Sequence, residues 1–167
     1  LATHYHPDHV GGDMMGYSIA GVNELLRLRP VPIHVQADEA EWVKRVTGAE
    51  DTDLVTHASS DIVQVGAIPI ELIHTPGHTP ACMTHVMGDA AFVGDTLFMP
   101  DGGSARADFP GGDAGQLYDS IQRVLALPDQ MRLFMCHDYG PNGRDIRWET
   151  TVAEERTHNI HISGKTR

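Results

Sequence analysis

Positive charge is scarce in this chain: 12 Lys and Arg stand against 23 Asp and Glu, a formal net charge of −11. Nucleic-acid affinity rests on clustered Lys and Arg, so the composition argues against nucleic acid as a partner. Long apolar runs are missing too, none approaching the ~20 residues that a membrane helix needs, so no membrane partner is expected. Cysteine is limited to Cys82 and Cys136. Two widely spaced thiols make neither a disulfide scaffold nor a zinc ribbon; they suit a reducing, cytoplasmic compartment, and each reads as a small buried hydrophobe. No charged leader with an apolar stretch behind it marks export, although the chain opens on Leu1 rather than Met. Histidine is the exception to this scarcity, with 11 residues.

Three of those histidines fall in the first nine positions. Thr3-His4-Tyr5-His6-Pro7-Asp8-His9, followed by Gly11 and Gly12, crowds three imidazoles and a carboxylate into one short segment. Imidazole and carboxylate suit divalent zinc, iron or manganese, and a His-x-His pair on extended backbone projects both rings to one side. Asp8 and His9, beyond the turn-forming Pro7, face a second site close by. Three later positions complete the set. His78 stands in Thr-Pro-Gly-His-Thr-Pro, where Pro76 and Gly77 force a tight turn. Asp95 follows a strand end at Val93-Gly94, and His137 ends another apolar run. One metal can take His4, His6 and His78 and a second Asp8, His9 and His137, with Asp95 bridging both. His74 reads as a hydrogen-bonded structural residue, Arg144 and Arg147 as surface charges.

The 167 residues are of single-domain size, and 1–167 reads as one domain. Apolar spacing predicts a helix over 13–29, a strand over 32–36, a helix over 37–46 ended by Gly48, and an irregular stretch over 50–60. Strands follow at 62–65 and 68–73 around Gly66, and at 82–87 and 90–93 around Gly88-Asp89. Residues 99–114 form a long glycine-rich loop, of the kind that usually carries function. A helix through Leu117, Ile121 and Val124, a strand over 131–136 and a helix-like segment over 148–160 close the chain. Every ligand candidate lies just past a strand end, so a layered α/β architecture with the site along one sheet edge is expected.

The order His-x-His-x-Asp-His, Gly-His, Gly-Asp after a strand, and a final His resembles the metallo-β-lactamase superfamily, from residue 3 to about residue 160. The resemblance implies an α/β fold, the αββα sandwich with ligands at its edge, and the metal assignments above: His4, His6, Asp8, His9, His78, Asp95 and His137. Family members usually carry several strands before the His-rich motif, so the chain reads as a partial domain missing the first strands of the N-terminal sheet. The loop MPDGGSARADFPGGD, His137-Asp138-Tyr139 and the Glu154-Glu155-Arg156 helix are similar to the persulfide dioxygenase and β-lactamase-like hydrolase branch. Pro7 and Gly11-Gly12 are nearer to glyoxalase II, but there is no room for the helical domain that holds glutathione in that enzyme.

The resemblance implies a metallohydrolase with two zinc ions, a metal-activated water attacking a thioester or similar small substrate, and Asp8 or Asp95 steering the proton. The alternative is a dioxygenase with one iron on His4, His78 and Asp95, acting on glutathione persulfide. A third reading is a metal-binding-only or inactive fragment. Arg106 and Tyr139 are the substrate-binding candidates, because an arginine fork suits a carboxylate such as those of glutathione, with Asp108 placed to neutralise Arg106.

Overall fold

A computed structural model describes residues 1–167, which divide into two compact units, Leu1–Ala58 and Ser59–Arg167. In the first unit a helical turn, α1 (Pro7–Val10), is followed by strands β1 (Gly12–Met14) and β2 (Tyr17–Ile19). The helix expected over 13–29 is therefore corrected. Met15 and Gly16 both have positive φ, 52° and 83°, which closes a two-residue hairpin and cannot continue a helix. Only α2 (Val22–Leu28) is helical there, and its Gly21 N–H donates to Glu24 Oε2 at 2.8 Å.

Strand β3 (Ile33–Gln36), a short 3₁₀ turn (Ala37–Glu39), α3 (Ala40–Thr47) and β4 (Leu54–His57) make a βαβ unit with parallel pairing, Ile33 opposite Leu54. Gly48 ends α3 in the left-handed conformation, as its sequence position predicts. The irregular stretch expected over 50–60 is corrected at β4, whose four residues are recognisable as a strand only through their pairing with β3. Val10, Val22, Ile33, Val35 and Val43 form this unit's core.

The second unit is built on a six-stranded sheet. Its strands are β5 (Ile62–Val65), β6 (Ile68–His74), β7 (Met83–Met87), β8 (Ala90–Phe92), β9 (Arg132–Phe134) and β10 (Glu149–Thr151), in the order β10-β9-β8-β7-β6-β5. All neighbours are antiparallel except β8 and β9, which run parallel with Phe92 opposite Phe134. That pairing needs a crossover, supplied by the long loop and α4 (Ala114–Leu125). Asp113 caps α4 by accepting from Gln116 N–H at 2.8 Å, and Leu117, Ile121 and Val124 pack with Val93, Leu97 and Leu133 in the core. The segment over 148–160 is β10 followed by α5 (Val152–His158), capped by the Thr151 hydroxyl. The cysteines part company: Cys82 is buried as expected, but Cys136 is exposed, because it lies past the end of β9. No helix is long and apolar enough to cross a membrane.

Helix α5 carries a fully buried carboxyl, Glu155. Asn159 Nδ2 donates to Glu155 Oε2 at 2.6 Å and to the Gly103 carbonyl at 2.9 Å, which fastens the long loop to the chain's last helix. Burial pushes the Glu155 carboxyl up to about 8 from an ordinary 4.5, so it is protonated at neutral pH. A raised folded-state value means that stability is fully present below pH 4.5 and is lost as pH climbs through about 8. Glu155→Gln keeps the acceptor and removes the ionisation. Its urea midpoint is expected to match the parent's at pH 4 and to exceed it at pH 8.5, where the stability difference is a few kcal/mol at most, on the order of 1.4 per pKa unit. An equal midpoint at both pH values would show that Glu155 ionises freely.

Candidate metal centre

Within the first unit, Pro7 occupies the first helical position of α1, where its missing N–H costs nothing, and it separates His6 from Asp8 and His9. Thr3 Oγ1 lies 3.3 Å from both His4 Nδ1 and His9 Nδ1. One hydroxyl therefore orients two rings and leaves their Nε2 atoms for other partners. His4 Nε2 is 3.1 Å from His6 Nδ1, close to the roughly 3.3 Å between two nitrogens that each sit about 2.05 Å from a tetrahedral zinc. Asp8 places Oδ2 3.8 Å from His9 Nε2.

Within the second unit, the turn after β6 is held rigidly. Gly77 N–H donates to the Thr79 carbonyl, Asp113 N–H to the Gly77 carbonyl and the Ser120 hydroxyl to the Pro76 carbonyl, at 2.7–2.8 Å. His78 Nδ1–H donates to the Arg106 carbonyl at 2.7 Å, which fixes the tautomer and turns the Nε2 lone pair away from the loop. Asp95 and His137 each stand three residues past the end of neighbouring parallel strands, β8 and β9, so the register of that pair brings them side by side. Asp95 Oδ2 is 3.6 Å from His78 Nε2, and Oδ1 is 3.5 Å from His137 Nε2. Asp95 thus directs one oxygen to each imidazole. His4, His78 and Asp95 are buried, at 1%, 3% and 7% exposure, whereas His6, Asp8, His9 and His137 are more open.

The two substrate candidates differ. Arg106 donates to both oxygens of Asp108 and lies over the Phe109 ring, so its guanidinium is already committed, and Asp108 is held at about 2 by that pairing. Tyr139 is exposed and stacked near-parallel to His137, with ring centroids 6.4 Å apart. His74 has the structural role expected of it, donating Nε2–H to the Pro80 carbonyl at 3.2 Å.

Arg144 is not the surface charge expected from sequence. It is only 18% exposed and bonds Asp101 and Asp138 together. Three contributors were missed by residue type alone. Thr3 stands directly before His4 and was legible by position, the Arg106 carbonyl is backbone and leaves no mark in sequence, and Arg144 acquires its partners only through folding.

A family model described as the metallo-beta-lactamase superfamily matches residues 1–137. A beta-lactamase hydrolase-like protein of Agrobacterium fabrum is 41% identical over 177 residues, covering 99% of this chain and 38% of that protein. Glyoxylase B2 of Dictyostelium discoideum is 48% identical over 176 residues (97% and 56%), and the mitochondrial persulfide dioxygenase ETHE1 of Bos taurus 33% identical over 164 residues (96% and 55%). The crystal structure of ETHE1 from Myxococcus xanthus superimposes with a TM-score of 0.76 at 33% identity, covering 98% of this chain and 62% of that one. The chain spans 25–38% of the length of the hydrolase-like relatives it matches.

Proposed function

Because the chain belongs to the metallo-β-lactamase superfamily and has its fold, we propose that its two units form one domain with a dinuclear metal centre that hydrolyses a thioester or a similar small substrate. His4, His6 and His78 would hold one ion and Asp8, His9 and His137 the other, with Asp95 shared between the two. The observation that carries this reading is the carboxylate of Asp95, with one oxygen toward His78 and the other toward His137. The donor set fits, being imidazole and carboxylate with the second nitrogen of His78 already tied to a backbone carbonyl. Two zinc ions would supply a water with its pKa lowered toward neutrality and a Lewis acid for the scissile carbonyl.

The chain's own groups do the rest. Asp8 or Asp95 would be the carboxylate that steers the proton. Tyr139 offers the substrate a ring and a hydroxyl beside His137, and Arg106 grips a carboxylate once it exchanges Asp108 for it, which suits a glutathione-linked substrate.

A second reading rests on burial. The most buried donors, His4, His78 and Asp95, are a two-His, one-carboxylate set, the kind that holds a non-haem iron, and one relative is a persulfide dioxygenase. His6, Asp8, His9 and His137 would then orient ligands or substrate. Elemental analysis of protein purified without added metal, with oxygen uptake on glutathione persulfide and hydrolysis of S-acylglutathione, decides between them. About two zinc per chain with hydrolysis and no oxygen uptake is the expected result. About one iron per chain with oxygen consumption would replace it by the dioxygenase, and a metal-free, inactive chain would overturn both.

A further inference from the structure

Arg144 uses all five of its N–H donors inside the second unit. Nε and Nη2 donate to Asp101 at 2.6 and 2.5 Å, Nη1 and Nη2 to Asp138 at 2.5 and 2.8 Å, and Nη1 also to the Asp145 carbonyl at 2.9 Å. Asp101 lies in the long loop, and Asp138 directly follows His137. Asp138 is otherwise occupied by the Arg147 N–H at 2.7 Å and the Gly140 N–H at 3.4 Å, and its side chain is 3% exposed. A carboxylate next to a ligand histidine is thus turned wholly inward, with its acceptor capacity spent on holding the 137–147 segment. Tyr139 and His137, stacked on each other and edge-on to Phe98, ride on that segment.

We propose that Arg144 is a positioning residue, fastening the His137-Asp138-Tyr139 segment to the long loop so that the His137 imidazole is presented for a metal before any ion arrives. The inference rests on the metal centre proposed above. Charge alone does not account for the arrangement, because both carboxylates are gripped by one planar fork that a lysine cannot imitate.

The test compares the parent chain with Arg144→Ala, Arg144→Lys and Arg156→Ala. Arg156→Ala is a control that breaks another arginine anchor of the same unit, to Asp129 and the Leu125 carbonyl. Hydrogen exchange is measured on metal-free protein, and zinc affinity by competition with a chromophoric chelator. Arg144→Ala is expected to exchange about tenfold faster or more at residues 100–104 and 137–147, and to bind zinc about 10–100-fold more weakly. Arg144→Lys should recover less than half of either loss on a logarithmic scale, and Arg156→Ala should leave both readouts at the parent value.

Parental exchange across 137–147 in Arg144→Ala, full recovery by lysine, or equal losses in Arg156→Ala would each overturn the proposal. If the parent chain binds no zinc, the proposed function fails, while the exchange readout still decides whether Arg144 holds the segment. Should Arg144→Ala not fold, Asp101→Asn weakens one side of the fork and leaves Asp138 paired. It is expected to speed exchange at both segments, and faster exchange at 100–104 alone would overturn the proposal.

Discussion

Asp95→Asn is expected to fold like the parent and, at the dinuclear centre proposed above, to lose at least about a hundredfold in turnover together with one of the two metal ions. The substitution preserves shape and volume. What it removes is the symmetry of the carboxylate: Asp95 reaches His78 with Oδ2 and His137 with Oδ1, and an amide offers one acceptor oxygen where a bridge between two cations needs two. The lost negative charge also leaves two bound cations less well compensated. Metal analysis and turnover should therefore fall together while the urea midpoint of the metal-free protein stays near the parent's. Full retention of both ions would show that Asp95 is not the bridge, whatever the reaction proves to be.

Gly77→Ala should be among the most destabilising single-methyl changes available in this chain. Gly77 has φ +135°, a conformation that side chains rarely adopt, and a Cβ built there would stand 2.2 Å from Leu117 N and 2.3 Å from Leu117 Cα. The obstacle is helix backbone, so relief requires moving the start of α4 away from the turn that carries His78. Backbone strain and overpacking together are expected to cost about 3 kcal/mol or more, read as a lowered urea midpoint. Gly66→Ala is the comparison: its φ is +62°, nothing lies within 4 Å of the added carbon, and its cost should be about 1 kcal/mol. Equal losses in the two variants would mean that the approach of the turn to α4 is looser than the structure has it.

The candidate ligands were legible because their chemistry is local: a His-x-His-Pro-Asp-His run, a Pro-Gly-His turn and two residues just past apolar strands declare themselves by type and spacing. The β5–β6 and β7–β8 hairpins were legible for the same reason, each closing on a glycine at positive φ, Gly66 and Gly88. Failures occurred where the decisive partner is distant or the signal is ambiguous. Residues 13–29 have apolar spacing that suits a helix, yet the Met15-Gly16 turn outweighs it. Leu54–His57 becomes a strand only against β3. Arg144 has nothing in its neighbourhood that foretells Asp101, far back in the chain. Backbone acceptors such as the Arg106 carbonyl lie beyond any reading of side chains.

The parallel pairing of β8 with β9 bears on the entropy of metal capture. Asp95 and His137 are separated along the chain by the whole crossover, and bringing two such points together from a free chain costs roughly 3 kcal/mol in loop closure, beyond a constant term. That cost is met by strand hydrogen bonds and by the burial of Val93, Leu97 and Leu133, none of which is a candidate metal ligand. A metal entering between these two side chains has no loop left to close, and its binding free energy goes into affinity instead of into ordering the protein.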